Sequence, residues 1–450
     1  MGVHPIRKLR PFVFAFMMLT VAAGCSVKNN SNSKDASLMS EPVQANTPSE
    51  KVTLKMMESL TNPQRTGILK EQLAAFEAEN PLIHVELISP PFDQADETIR
   101  TMLAAKQDLD VIEVRDVNIA DYVSKQYIDP LDTYAANWKD FSTVADIPLN
   151  VGSVEGQIYF LANGLYERQL YYRKDWFDSQ KLKPPTTWQE LYETAVKLTD
   201  RSKNRYGFSF RGAKGANSIF DTMIRTYNGD QLDQDDGAFR KDGSSAYSSP
   251  EAEQALSLFA LLYKNASPEE SLYFGFEEQV NAFTSGQTAM LLQDSDVIQT
   301  LQAKMPPDTW ATAPMPTGPN GKALITVGAA GWGIPAQSLH KEEAWKLIAY
   351  LSSPEQNISF GKRYGLVPIH TTAATDPFFM TGPYQPLIEM TNDPDKYRYY
   401  RLPIQYPSYL EWEKRSTKAE QQMLLGEATV KETLKAWDAF WKEQKALMHR

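Results

Sequence analysis

Between residues 51 and 127 the sequence alternates short apolar stretches with amphipathic ones, and this alternation limits the possible folds more than any other feature. The apolar stretches read KVTLKMMESL, LIHVELIS and LDVIEV, which is typical of buried strands. Amphipathic stretches follow them, and the first has Ile68, Leu69, Leu73 and Phe76 at helical spacing. Strands that alternate with helices form βαβ units, so we predict an α/β fold with a mostly parallel sheet.

Polar residues follow the carboxyl end of each of these predicted strands. An open α/β sheet binds its ligands beyond the carboxyl ends of its strands, so these residues are candidates for a binding site. They are Asn62, Asp93 and Asp116. For Asp116 an alternative is that its side chain caps the helix that follows.

Several helix starts can be predicted from their capping residues. Glu190 follows Thr187 by three residues, which is the spacing of a capping box. Ser249 and Ser353 each stand directly before a proline, the residue favoured at the first helical position. We predict helices that begin at these caps, and an amphipathic helical segment over residues 416–448.

The N-terminal segment has the layout of a secretory signal peptide. A basic start precedes an apolar stretch over residues 12–23, and the small residues of VAAGC lead into Cys25, the only cysteine. We predict a signal peptide over residues 1–24, a lipid on Cys25 and a polar tether over residues 25–50. The protein would then be exported and anchored to the outer face of the cell membrane. The alternative is an ordinary signal peptide with an incidental cysteine.

The charge and the motif content exclude several classes of function. The formal net charge is −10, and removal of the three basic residues ahead of Cys25 leaves −13, which repels nucleic acid. The five histidines have no metal-ligand spacing, so we expect no metal and no cofactor. No phosphate loop, zinc-binding helix or serine nucleophile elbow occurs in the sequence.

Stretches spread over residues 51–435 carry a recognisable order of short motifs. They read FEAENPLIHVEL, MLAAKQDLDVIEV, LYYRKDWFDSQKLKPPTTWQEL, FTSGQTAMLL and APMPTGPNGKALITVGAAGWGIPAQSLHKEEAWKLIAYLSSPE. In this order they resemble the family 1 extracellular solute-binding proteins. These are the sugar-binding lipoproteins of ABC importers, similar to the maltose-binding protein.

The resemblance implies a two-lobed periplasmic-binding-protein fold of type II, with a hinge between the lobes. It places chain crossings near Asn163–Tyr166 and near Ala329–Gly333. A hinge of this kind lets the two lobes close around a ligand. The expected N-terminal lobe comprises residues 51–165 with 334–375, and the expected C-terminal lobe comprises residues 166–333 with 376–450.

The chain departs from the family pattern at several positions. Leu109 stands where the family usually has proline, and Arg173 stands where it prefers asparagine. Asp294 and Asp296 occupy the place where many members have Gly-x-Trp, whose Trp lies in the sugar site. Carboxylates accept hydrogen bonds from sugar hydroxyls, although they would equally suit a cationic or metal-bridged ligand.

A sugar site needs aromatic plates beside planar hydrogen-bonding groups, which selects further candidates. Trp332 stands among glycines at the expected hinge, and Tyr166 aligns with a ligand-facing position of the family. Arg211 follows the apolar YGFSF. Each has a structural alternative: core packing for Trp332 and Tyr166, a surface ion pair for Arg211, and a polar turn for the aspartates. The candidates beyond the strand ends are Tyr166, Arg211, Asp294, Asp296, Trp332 and Tyr409.

The resemblance also implies what the protein does and with which partners. We expect a monomeric receptor for a sugar or an oligosaccharide that docks on the two membrane-spanning permease subunits of an ABC importer and has no catalytic residues. One alternative is a secreted glycoside hydrolase, which also needs paired carboxylates. Another is a binding protein of the same fold for a cationic or peptide solute, or one that feeds a sensor kinase.

Overall fold

The computed structural model describes residues 51–233, 235–400 and 402–448. The expected signal peptide over residues 1–24, the tether over residues 25–50 and the lipidation site Cys25 lie outside these residues, so all three stay predictions. Within the described ranges, no helix combines the length and the apolar character needed to cross a bilayer.

The helices and strands follow one another along the chain in the order that their numbers give. The strands are β1 (Val52–Met57), β2 (Ile83–Ile88), β3 (Val111–Arg115), β4 (Ser153–Val154), β5 (Gln157–Ile158), β6 (Leu161–Tyr172), β7 (Met290–Asp294), β8 (Ala311–Ala313), β9 (Ala323–Ile325), β10 (Val327–Gly333) and β11 (Tyr397–Tyr399). The helices are α1 (Pro63–Glu79), α2 (Phe92–Ala104), α3 (Asp116–Ser124), α4 (Asp132–Ala135), α5 (Asp146–Val151), α6 (Lys174–Ser179), α7 (Trp188–Leu198), α8 (Asn217–Asn228), α9 (Pro250–Ala266), α10 (Phe276–Thr284), α11 (Val297–Lys304), α12 (Lys341–Leu351), α13 (Pro354–Tyr364), α14 (Gln385–Asn392), α15 (Tyr409–Leu424) and α16 (Val430–Met448).

A seven-stranded sheet runs through the described residues in the order β2-β1-β3-β10-β6-β7, with β8 paired beside β6. β1 is parallel to both β2 and β3, as the βαβ alternation predicts. The pairings of β10 with β3 and β6, and of β6 with β7 and β8, are antiparallel. The prediction of a mostly parallel sheet is therefore wrong for the whole sheet, because the alternating pattern covers only its first three strands.

β6 is a single long strand that pairs with different neighbours along its length. Its first part, up to Glu167, pairs with β10, and its second part, from Arg168, pairs with β7 and β8. Both chain crossings expected from the sequence fall within β6 and β10. The boundaries of the two lobes stay predictions.

Helices cover both faces of the first three strands, because apolar side chains alternate along these strands. Leu54 and Met56 of β1 pack with Phe76 of α1 and with α12. Met57 belongs to a second buried cluster, to which α2 and α3 contribute Ile99 and other residues. Apolar side chains of these strands thus pack against helices on both faces of this part of the sheet.

The predicted helix caps are confirmed. The hydroxyl groups of Thr187, Ser249 and Ser353 accept hydrogen bonds from backbone N–H groups of the first turns of α7, α9 and α13, at 3.1, 3.0 and 3.4 Å. The C-terminal segment is helical, as predicted, and consists of two helices, α15 and α16. Between them Gly426 has φ +79°, a left-handed conformation that ends a helix.

The tryptophans of the C-terminal helices pack against one another in the core. Trp437 and Trp441 of α16 pack against Trp412 of α15, with ring centroids 5.6 and 5.2 Å from that ring. Phe220 of α8 stacks on Trp437 at 4.5 Å. This aromatic cluster holds the C-terminal helices against α8.

Candidate functional site

The site is built around the carboxyl end of β7, where the chain turns into α11. Asp294 is the last residue of β7, and Asp296 directly precedes α11. The Oδ1 atom of Asp296 is buried and has no hydrogen-bond partner among the described residues. Burial, together with the neighbouring charge of Asp294, raises the pKa of Asp296 to about 7. Near neutral pH this carboxyl group can therefore either donate or accept a hydrogen bond.

Arg168 of β6 lies directly opposite Asp294 in the sheet. Its Nε and Nη2 atoms donate to the two carboxylate oxygens of Asp294 at 3.1 and 3.3 Å. Its Nη1 atom is buried without a hydrogen-bond partner among the residues described. A buried cation with a free donor thus lies close enough to Asp296 for its charge to act on that carboxyl group.

Asp116 joins α3 to β10 at the edge of this cluster. Its Oδ1 accepts from the backbone N–H of Val117 at 2.8 Å, and its Oδ2 accepts from the backbone N–H of Ala329 at 3.0 Å. The residue is 5% exposed, and burial raises the pKa of Asp116 to about 6. α3 begins at Asp116 itself and its N-cap residue is Arg115, so the alternative that Asp116 caps this helix is wrong. The carboxyl group of Asp116 lies close enough to Asp294 for the charge of Asp294 to raise its pKa.

Three tyrosines, Tyr166, Tyr364 and Tyr384, lie close enough to Asp296 for its charge to act on them, and we call this group the aromatic wall. The hydroxyl of Tyr166 is buried and has no partner within the described part of the chain. Tyr364, at the end of α13, accepts a hydrogen bond from Nδ2 of Asn62 at 2.7 Å. Burial raises the pKa of Tyr166 and Tyr364, and the charge of Asp296 adds to the rise in both. Tyr384 is affected by Asp296 in the same way.

Arg211 approaches the cluster from the loop before α8. Its Nε donates to the backbone carbonyl of Lys214 at 2.8 Å. Burial and the nearby positive charge of Arg168 lower the pKa of Arg211 to about 10. The charges of Asp294, Asp296 and Glu413 act on Arg211 in the opposite direction. The cluster therefore contains both cationic and anionic side chains.

The structure brings together six of the nine candidates named from the sequence. Contacts or mutual electrostatic effects connect Asn62, Asp116, Tyr166, Arg211, Asp294 and Asp296. No ligand contact is shown for them, so ligand binding by each stays a prediction.

The other three candidates lie in different surroundings. Asp93 has an 85% exposed side chain and forms an ion pair with Lys214 at 3.5 Å. Trp332 is 2% exposed and belongs to the apolar cluster of β1, α1 and α12, which is its core-packing alternative. Tyr409 is 3% exposed and packs into the larger apolar cluster. A ligand role for these three also stays a prediction.

Sequence reasoning missed Arg168, Tyr364 and Glu413. A signal existed for Arg168, since a charge pair, Glu167–Arg168, interrupts the otherwise apolar stretch LYERQLYY. Tyr364 and Glu413 lie on ordinary amphipathic helices, and only the folded chain brings them to the cluster.

Within the part of the chain that the structure describes, no group of three or more His, Cys, Asp or Glu side chains is arranged to hold a metal ion. The acidic side chains of the cluster instead have arginine, tyrosine and backbone N–H neighbours. Such a set offers hydrogen-bond donors and acceptors to an uncharged polar molecule.

Comparison with known proteins gives a consistent result. The sequence profile of the family described as "Bacterial extracellular solute-binding protein" matches residues 62–358. A putative binding protein of Brucella abortus is 26% identical over 322 residues, which cover 71% of this chain and 76% of that protein. A mannitol-binding protein of Pseudomonas aeruginosa is 27% identical over 235 residues, which cover 50% of this chain and 52% of that protein.

Solved structures show the same fold. Maltose-bound T. maritima MalE3 superposes with a TM-score of 0.76 at 23% identity, over 88% of this chain and 100% of that one. A solute-binding protein of Agrobacterium radiobacter in complex with ribitol gives a TM-score of 0.73 at 23% identity, over 89% and 100% of the two chains. The predicted two-lobed fold of type II is therefore confirmed.

Proposed function

The chain belongs to the family of bacterial extracellular solute-binding proteins, and on this premise we propose that it captures a sugar or a sugar alcohol between two lobes and delivers it to an ABC permease. The solute is bound reversibly and released chemically unchanged, so no side chain acts as a catalyst and no cofactor is required.

The single observation that carries this proposal is a set of buried polar atoms without partners. The set comprises the hydroxyl of Tyr166, Oδ1 of Asp296 and Nη1 of Arg168, counted over the described residues. Buried polar groups in native proteins nearly always have partners, and one left without costs about 1–3 kcal/mol. A molecule with several hydroxyl groups supplies donors and acceptors together, and so satisfies all three atoms.

The aromatic wall supports the same class of solute. Sugar rings have apolar faces and polar edges, and they bind where aromatic rings stand beside hydrogen-bonding groups. Tyr166 and Tyr364 provide such rings next to Asp296. Relatives and neighbours of this fold are named for mannitol, maltose and ribitol, all of which are uncharged and rich in hydroxyl groups.

The cellular setting is also part of the proposal. A lipid on Cys25 would hold the monomeric protein at the outer face of the membrane, close to the permease subunits. The polar residues between Cys25 and β1 would act as a tether, because they bury too little apolar surface to fold on their own. Docking on the permease would then need no basic patch on this acidic chain.

A thermal-shift screen with maltose, D-mannitol, ribitol and D-tagatose tests the proposed function, since a solute that binds the folded form raises Tm. We expect at least one of them to raise Tm, and Tyr166→Phe and Asp296→Asn to reduce that shift. Asp178→Asn is the matched control, because Asp178 of α6 has an exposed side chain, pairs with Lys174 and is not a candidate for the site, so this substitution should leave the shift unchanged.

Two outcomes would contradict the proposal. Cleavage of an oligosaccharide during the incubation would indicate a hydrolase. A shift seen only with a polyamine such as spermidine, and lost as salt is added, would indicate a cation-binding protein, because ions screen charge pairs.

A further inference from the structure

We propose that Arg168 donates a hydrogen bond to the solute from Nη1, and that Asp294 is a positioning residue that holds the Arg168 guanidinium in place. This inference rests on the proposed function and deepens it. It changes the role of Asp294 from the direct solute contact expected from the sequence to the support of a neighbouring donor.

The geometry of the pair points to this division of roles. The two residues face each other across the β6–β7 pairing, and Arg168 uses Nε and Nη2 for both carboxylate oxygens of Asp294. A planar, two-point contact of this kind fixes the orientation of the guanidinium. Nη1 is then the donor left over, and it lies on a side chain that is only 9% exposed.

A guanidinium nitrogen without a hydrogen-bond partner does not by itself distinguish Arg168, because the described residues include four other such arginines: Arg65, Arg100, Arg225 and Arg240. Arg65 also has a free atom, Nε, but its guanidinium lies 5.4–6.0 Å from the rings of Trp332, Phe360 and Tyr364. Aromatic faces stabilise a cation in this position. Among the described residues, no ring lies in such a position against Arg168. Arg168 differs from the other arginines because its charge acts on Asp296, a buried carboxyl group that also has a free oxygen.

The surroundings of Nη1 define the chemistry of that partner. Asp296 also has a free oxygen, and the positive charges of Arg168 and Arg211 both act to lower its pKa. Arg211 is close enough to Arg168 for the two positive charges to oppose each other. A solute amine placed here would carry a third positive charge, whereas a hydroxyl oxygen accepts from Nη1 and donates to Asp296. We therefore infer that the group bound at Arg168 is a hydroxyl, or a pair of adjacent hydroxyls, that accepts from Nη1 and donates to Asp296.

The test compares Arg168→Met, Arg168→Lys and Asp294→Asn with the wild-type protein by calorimetric titration of maltose, D-mannitol, ribitol and D-tagatose. Arg173→Met is the matched control. Arg173 makes the same two-point contact, with Asp175 at 2.9 and 2.5 Å, but none of the interactions described above places it in the cluster.

We expect Arg168→Met to weaken binding by about 10- to 100-fold, the range for a lost hydrogen bond from a charged donor. Arg168→Lys should also weaken binding, since an ammonium cannot keep the two-point contact with Asp294. Arg173→Met should leave affinity unchanged. Asp294→Asn should weaken binding in the wild-type background but have little further effect in the Arg168→Met background, because its effect acts through Arg168.

The unliganded proteins give a second readout. If the Arg168 guanidinium serves solute binding rather than folding, Arg168→Met should change Tm of the unliganded protein by less than about 2 °C, a small shift for a chain of this length. A larger loss of Tm with unchanged affinity would make Arg168 a structural residue and overturn the inference.

The two proposals can fail separately. Wild-type protein that binds one of the four solutes, with Arg168→Met binding it equally well, overturns the role of Arg168 and leaves the proposed function standing. Asp294→Asn that weakens binding equally in both backgrounds would make Asp294 a direct contact and overturn its positioning role. Wild-type protein that binds none of the four overturns the hydroxylated solute class and the role of Arg168 together.

Discussion

At the scale of single residues, the site contains carboxyl groups whose pKa values are raised by burial. Asp116 and Asp296 are both buried and both lie near the charge of Asp294, and their pKa values lie at about 6 and about 7. A group of this kind binds its proton more tightly in the folded chain than in the unfolded chain. Burial of such a group therefore lowers the free energy of unfolding as the pH rises, and has its smallest effect at acidic pH.

We predict that the unliganded protein loses stability between about pH 4 and pH 7 because of these groups. The folded form binds more protons than the unfolded form in this window, so the free energy of unfolding falls as the pH rises. Urea unfolding at pH 5 and pH 8 measures the effect. Asp296→Asn, which cannot ionise at this position, should lose less stability between the two pH values. An equal loss in both proteins would remove Asp296 as a cause.

The two alternative roles of Trp332, core packing and solute contact, predict different effects of the substitution Trp332→Ala. Its ring lies in the apolar cluster of β1, α1 and α12, so Trp332→Ala should cost about 3–5 kcal/mol of unfolding free energy by urea titration. Trp437→Ala is the control, because Trp437 is equally buried in the C-terminal cluster. If folded Trp332→Ala instead loses tenfold or more in affinity without losing stability, the ring contacts the solute.

At the scale of elements, the sequence predicted local structure better than strand pairing. The caps at Thr187, Ser249 and Ser353 depend on neighbouring residues and were confirmed. The antiparallel half of the sheet was not predicted, because β6 carries Glu167 and Arg168 in its middle and lacks the alternation of an ordinary strand. Its pairing depends on β7 and β10, which lie more than a hundred residues away along the chain.

The same reasoning explains which part of the site could be predicted. Asn62 and Asp116 follow strands that were predicted correctly, so their position at the strand ends could be foreseen. Arg168 was missed because it lies inside a strand whose partners were unknown. Tyr364 was missed because α13 reaches the cluster only through tertiary packing.

The segment after α13 supports the turn that carries Asp296. Gly365 has φ +100°, and a Cβ atom there would lie 2.9 Å from the carbonyl oxygen of Ser295 and 3.2 Å from Cα of Asp296. We predict that Gly365→Ala displaces this turn and weakens solute binding about tenfold, as calorimetry would show.

Gly382→Ala is the control for this substitution. Gly382 also has a left-handed backbone, at φ +62°, but its Cβ would meet no atom within 4 Å. Gly382→Ala should therefore introduce backbone strain but leave the affinity for the solute unchanged. Equal effects of the two substitutions would contradict the contact between Gly365 and the turn.

At the scale of the whole molecule, the long strands β6 and β10 link the sheet into one structure. A closing motion of the two expected lobes would have to bend these strands, and the cluster lies beside them. The charge of Asp116 in α3 raises the pKa of Glu413 in α15, although the two residues belong to opposite expected lobes. The cluster lies between elements from different parts of the chain, and it therefore contains residues that are distant in sequence.

The proposed anchor is a prediction at this same scale. Cys25→Ser should release the exported protein from the membrane fraction, because the lipid would have no attachment site. Immunoblots of membrane and soluble fractions measure the distribution. Ser26→Ala, beside the cysteine, is the control and should stay with the membrane. A Cys25→Ser protein that remains in the membrane fraction would contradict the anchor.

The central claim is that the cluster around Asp296 holds an uncharged, hydroxyl-rich solute and releases it unaltered. Calorimetric titration of the wild-type protein with maltose, D-mannitol, ribitol and D-tagatose, followed by mass spectrometry of the recovered solute, tests it most directly. We predict saturable binding of one solute molecule per protein for at least one of them, and recovery of that solute with its mass unchanged. Absence of heat for all four, or recovery of a cleaved product, would contradict the account.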